Sequence, residues 1–119
     1  MKALVGFILI TFVFSSCLYE NEEEIKGVTV CDTSVVKYSI DIVRIMDESC
    51  NGCHSTDQRQ GGVVLDNYNS TVKYVKNGGL LGSVLHKARY SAMPKGSSKL
   101  DACSLALIDA WIKSGYPNN

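Results

Sequence analysis

Two cysteines separated by two residues, with a histidine directly behind the second, stand in mid-chain as Cys50-Asn51-Gly52-Cys53-His54. No other feature restricts the possible folds so strongly, because each chemistry open to this stretch demands a different scaffold. A redox dithiol needs a strand–turn–helix setting within a βαβ pattern. A structural zinc site needs four ligands in tetrahedral reach. Covalent haem attachment needs an exported chain long enough to pass round a porphyrin.

The N-terminus speaks to the compartment. Lys2 and the apolar run "ALVGFILITFVF" have the n-region and h-region of a signal peptide, and the run is too short for an ordinary spanning helix. Residues 1–16 are therefore expected to be removed. Ser15-Ser16-Cys17 resembles the lipobox of bacterial lipoproteins, although Phe14 replaces the usual Leu and Ser16 the usual Gly or Ala. On that reading Cys17 is acylated, and residues 17–30, with the acidic run "LYENEEEIKG", form a solvated tether. Simple cleavage nearby would instead leave a free secreted protein. The expected location is a bacterial membrane anchor outside the cytoplasm, on the periplasmic face or the cell surface. Residues 31–119 then make one domain. Lys plus Arg and Asp plus Glu both number 12, and a net charge of zero argues against a nucleic-acid partner, which requires a basic surplus.

The five cysteines are Cys17, Cys31, Cys50, Cys53 and Cys103. In an oxidising compartment spare thiols tend to pair. With Cys17 lipidated and Cys50 and Cys53 holding a cofactor, Cys31 and Cys103 remain for a disulfide that brackets the domain. The competing reading makes either of them a small buried hydrophobe.

Helical signals dominate the domain. Ser39 is a plausible N-cap, Asp41 suits the first turn, and Ile42, Ile45 and Met46 form an apolar stripe leading into Cys50. Gly61-Gly62 marks a loop. A weak helix is predicted over "STVKYVK", ended by Asn77-Gly78-Gly79. "LLGSVLHKA" is a candidate short helix and "RYSAMPKGSSK" a loop. Asp101 caps the last helix, with Leu100 and Leu105 as a hydrophobic staple; Leu107, Ile108 and Trp111 share a face, and Gly115 with Pro117 stops the helix. No strand alternation is visible. The expected fold class is all-α, a small helical domain with long loops, and such loops in so short a chain suggest a prosthetic group that orders them.

That setting weighs against a redox dithiol, since the motif follows a helix. For zinc, Cys50, Cys53 and His54 could provide three ligands and His86, Cys31 or Cys103 a fourth, but adjacent residues seldom reach one tetrahedral ion comfortably, and no second Cys-x-x-Cys is present. Haem attachment fits best. Cysteines three apart on one turn can present both sulfurs to the two vinyl groups, and His54 then directs its imidazole at the iron. The opposite ligand is expected from Met93, which lies in "SAMPKG" outside any apolar stripe, unlike a methionine that fills a core. His86 is the rival ligand, in an apolar setting that suits a structural or surface role better.

On these residues the chain resembles a small monohaem cytochrome c of the His/Met-ligated, class I type, similar within it to bacterial lipoprotein cytochromes. The likeness covers about residues 31–117 and rests on "YSIDIVRIMDES" with CNGCH, "GGVVLDNYNS", "MPKG" and "LDACSLALIDAWIKSGYP". It implies one covalently bound haem c: thioethers from Cys50 and Cys53, His54 as proximal and Met93 as distal iron ligand. It also implies that the N- and C-terminal helices cross, with Ile42, Ile45, Leu107, Ile108 and Trp111 sealing the contact and the haem pocket. The implied function is one-electron transfer rather than catalysis, with thioether ligation and an apolar pocket raising the potential.

Gly61 and Gly62 could allow the backbone close to a porphyrin or serve plain turn geometry. Arg59 or Arg89 could pair with a haem propionate or point to solvent. From Asn67 to Leu100 the charged residues are Lys73, Lys76, Lys87, Arg89, Lys95 and Lys99, with no acid, so a redox partner with an acidic docking face is expected, a solvated face being the plainer reading. Two other classes remain open. One is a haem-based gas-binding, sensor or peroxidase-like module in which Met93 is not a stable ligand. The other is a structural zinc or disulfide module.

Overall fold

The computed structural model describes residues 31–119, and all regular structure among them is helical, without a strand. The signal segment, Cys17 and the tether lie outside the described residues. A π turn over Tyr38–Ile42 runs into α1 (Val43–Ser49), and α2 (Asn51–His54) follows after Cys50. A 3-10 turn at Gln60–Gly62 leads to α3 (Tyr68–Lys76), α4 (Gly79–Val84) and the closing helix α5 (Ala102–Lys113).

The first helix starts differently from the expected Ser39 cap. Lys37 holds the N-cap position, and its N–H donates to the Asp41 carboxylate at 2.8 Å. Ser39 N–H is instead taken by the main-chain carbonyl of Asn119 at 2.9 Å. The Asn119 side chain also accepts from Tyr38 N–H at 2.8 Å and donates to the Val36 carbonyl. A residue some eighty positions away thus satisfies donors that a local cap would otherwise serve.

Packing follows the two apolar stripes. Ile42, Ile45 and Met46 from the first helix are buried with Leu107, Ile108 and Trp111 of α5, and the π turn packs directly against α5. Trp111 is fully buried; its indole N–H donates to the Pro117 carbonyl at 3.0 Å, so its polar atom enters the core already satisfied. Tyr38 stacks against it with ring centroids 5.3 Å apart, and Tyr68 meets Tyr38 edge-on at 5.0 Å. Cys31 and Cys103 are joined, with Cα atoms 5.4 Å apart, which ties the start of the domain to the first turn of α5.

The other helix ends are set locally. Asn67 caps α3 by accepting from Ser70 N–H at 2.9 Å, so the helix starts at Tyr68, before the predicted "STVKYVK". Thr71, fully buried, donates its hydroxyl to the carbonyls of Leu65 and Asn67. Asp101 caps α5 as expected, accepting from the Ser104 hydroxyl at 2.6 Å and from Ser104 N–H at 3.0 Å, and these hydrogen bonds hold its carboxyl below the usual carboxylate pKa. At the C-terminus of α5, Gly115 has φ 90°, with Gly115 N–H donating to Ile112 O and Tyr116 N–H to Trp111 O, a Schellman closure.

Candidate functional site

The Cys50–His54 stretch forms one tight turn, because the Cys50 carbonyl accepts from both Cys53 N–H at 3.0 Å and His54 N–H at 2.9 Å. That turn puts Cys50, Cys53 and His54 on the wall of a cavity of about 650 Å³. Met93, forty residues further on, lines the same cavity, together with Val63, Leu65, Leu80, Val84 and Leu100. Most of the exposed wall is apolar, although Ser49, Gln60, Ser83, Arg89, Ser91 and Lys95 also reach it, and the volume falls in the range of roughly 300–1,000 Å³ common for small-molecule and cofactor sites.

Cys50 is half-buried, and burial pushes its thiol up to about 11. A thiol so disposed is the opposite of the activated thiolate that a redox dithiol requires. Cys53 is exposed. His54 is half-buried, and its Nδ1 is a buried ring nitrogen without a hydrogen-bond partner. Such an orphan is costly in a finished core and fits a ring whose environment is completed by a group absent from the chain itself. The stretch leaves the site under restraint: Leu65 N–H donates to the His54 carbonyl at 2.7 Å, and Thr56 donates from both its N–H and its hydroxyl to Asp66. Those two bonds hold the exposed Asp66 carboxyl below its ordinary pKa.

The three residues considered as a fourth zinc ligand are engaged elsewhere. Cys31 and Cys103 are bonded to each other, and the His86 Nε2–H donates to the main-chain carbonyl of Met93 at 2.9 Å. Among the described residues no three His, Cys, Asp or Glu side chains converge. His86 does not line the cavity; it braces the loop that carries Met93.

The other sequence-predicted candidates separate clearly. Arg89 lines the cavity, whereas Arg59 does not and donates its Nε–H to the Thr56 carbonyl at 2.6 Å. Gly61 and Gly62 have φ of 65° and 75°, and a Cβ on either would meet nothing within 4 Å. Both φ values favour glycine by turn geometry, and Gly61 also lines the cavity. Lys73, Lys76, Lys87, Arg89, Lys95 and Lys99 are all exposed, and none forms an ion pair with an acid among the described residues.

Two wall residues were not singled out from the sequence. Tyr74 donates its hydroxyl to the Gly62 carbonyl at 3.2 Å, drawing α3 against the glycine turn. Tyr90 lays its ring across Gly82 of α4, where a Cβ would come within 2.4 Å of the ring. The spacing Gly78-x-x-x-Gly82 was the available signal, since it leaves one helix face flat enough to seat a ring. No protein-family model, curated protein or solved structure matches the chain.

Proposed function

We propose that this chain is a small cytochrome c: an exported, lipid-anchored carrier of single electrons on one covalently held haem. The observation that carries the proposal is the meeting of Cys50, Cys53 and His54 with Met93 on one apolar cavity of about 650 Å³. Cys50 and Cys53 would hold the haem as thioethers. Attachment at these two thiols would need no oxidant, since addition of S–H across a vinyl C=C would place the sulfur on one carbon and the proton on the other. The His54 imidazole and the Met93 thioether would be the groups that bind its iron.

The haem, when bound, supplies one reversible electron at a potential that methionine ligation raises relative to a second imidazole. The chain's own part is binding. Leu65, Leu80, Val84 and Leu100 present an apolar surface to the bound group, which disfavours added positive charge there. Arg89, which lines the wall, would be available to pair with a propionate. The exposed lysines, of which Lys95 reaches the cavity wall, would steer an acidic partner. Cys17 would anchor the domain through its lipid, with residues 18–30 as the tether.

The test is expression with the signal segment in a host that matures c-type haem, followed by ferric and ferrous absorption spectra. Covalent haem, a weak ferric methionine–iron charge-transfer band and indifference of the reduced form to carbon monoxide are expected. Covalent haem that binds carbon monoxide readily and lacks the band would replace the carrier with a gas-binding or peroxidase-like module. Absence of covalent haem would overturn the proposal.

A further inference from the structure

The C-terminus of α4 has an unusual occupant. Its closure is a complete Schellman pair: His86 N–H donates to Ser83 O at 3.1 Å and Lys87 N–H to Gly82 O at 2.9 Å. The residue at the left-handed position of this motif is normally glycine. The chain follows that rule where α3 and α5 end, with Gly78 at φ 74° and Gly115 at φ 90°. At α4 the position belongs to His86, at φ 53°. A histidine there works against backbone preference, so its side chain is the reason to look for. That side chain donates from Nε2 to the main-chain carbonyl of Met93 at 2.9 Å.

Met93 is held at its other end too, since its N–H donates to Ser83 O at 3.1 Å, the same carbonyl that accepts from His86 N–H. Both main-chain polar groups of Met93 are thus tied to one turn of α4. Without the His86 bond, a loop that has no helix or strand between residues 89 and 99 would hold Met93 by its N–H alone.

We infer that His86 is a positioning residue that fixes the Met93 main chain, and through it the thioether, at the cavity wall. The inference rests on the cytochrome reading above. Glycine at position 86 separates this role from a structural one, because it relieves the backbone while deleting the imidazole. His86→Gly should leave the midpoint of global unfolding unchanged or raised. It should also make added imidazole a better competitor with Met93, raising the affinity of the ferric holoprotein for imidazole roughly five- to tenfold, the worth of one hydrogen bond. His86→Gln, whose Nε2 can reach the same carbonyl, should return the affinity to within about twofold of the parent.

An unchanged imidazole affinity in His86→Gly would overturn the inference. So would affinity and unfolding midpoint changing in step with no rescue by Gln, which is what a purely structural residue would produce. Met93→Ala is the control for the underlying reading. A parent protein without covalent haem, or one whose imidazole affinity ignores Met93→Ala, would overturn the cytochrome assignment, and this inference with it.

Discussion

Gly82→Ala adds one methyl group where α4 has no space for it. A Cβ at this position would lie 2.4, 2.5 and 2.6 Å from Cδ2, Cε2 and Cγ of Tyr90, so the ring has to leave its seat. Two effects then oppose each other. Alanine is favoured over glycine inside a helix by about 0.8–1 kcal/mol. Tyr90 is 40% exposed, so somewhat more than half of its surface is covered in the native state. With tyrosine burying up to about 150–250 Å², expulsion returns roughly 100 Å² to water, about 2.5 kcal/mol at ~25 cal/mol/Å². The loss outweighs the gain, and a net destabilisation of about 1.5 kcal/mol should lower the thermal midpoint by roughly 6–12 °C. The decisive comparison is with Tyr90→Ala. Without the ring the same Gly82→Ala change meets nothing and should stabilise by up to ~1 kcal/mol, so its effect reverses sign. Thermal unfolding of the parent, both single variants and the double variant, followed by circular dichroism, measures the coupling directly. An equal loss from Gly82→Ala with and without Tyr90 would refute the argument that the ring is what excludes the methyl group.

Three further outcomes are expected. Replacing Cys31 and Cys103 by serine opens a cross-link between residues 72 apart; chain entropy assigns about 4 kcal/mol to that constraint, to be read as a fall in denaturant midpoint at unchanged secondary structure. Trp111→Ala, at a fully buried position, should cost about 3–5 kcal/mol in the same measurement, whereas Trp111→Phe should cost less while leaving the Pro117 carbonyl without its donor. The Asp101 carboxyl is held below its ordinary pKa by its bonds to Ser104, so its contribution is present above the unfolded carboxylate pKa of about 4 and is lost as the pH falls through the lower folded value. Asp101→Asn keeps the cap without the titration, and unfolding measured across that acidic range should show a shallower loss of stability than in the parent.

Much of this protein was open to local reading because much of it is decided by bonds between near neighbours. The Asp101 cap reaches three residues ahead, the Gly115 stop closes on Trp111 and Ile112, and the Cys50–His54 turn is bonded within itself. The apolar stripe of Ile42, Ile45 and Met46 and that of Leu107, Ile108 and Trp111 declared two helices with one buried face each. Cys50, Cys53 and His54 stood out by spacing, and Met93 by its lack of an apolar neighbourhood.

Tertiary structure alone decided the contacts whose partners are far apart or out of pattern. Ser39 has the composition of a cap, but the helix starts ahead of it, with Lys37 at the N-cap position, and Asn119 takes the Ser39 N–H from across the fold. Arg89 and Arg59 are equivalent on paper and are separated only by where the chain turns. His86 read as a rival ligand better suited to a structural or surface role; the particular role, a link to the Met93 carbonyl, depends on a loop folding back seven residues later. A propensity or a spacing is a property of a segment, and it survives folding when the segment's own bonds outweigh those from outside. The walls of the cavity are a property of several segments at once, and their meeting depends on how the helices pack.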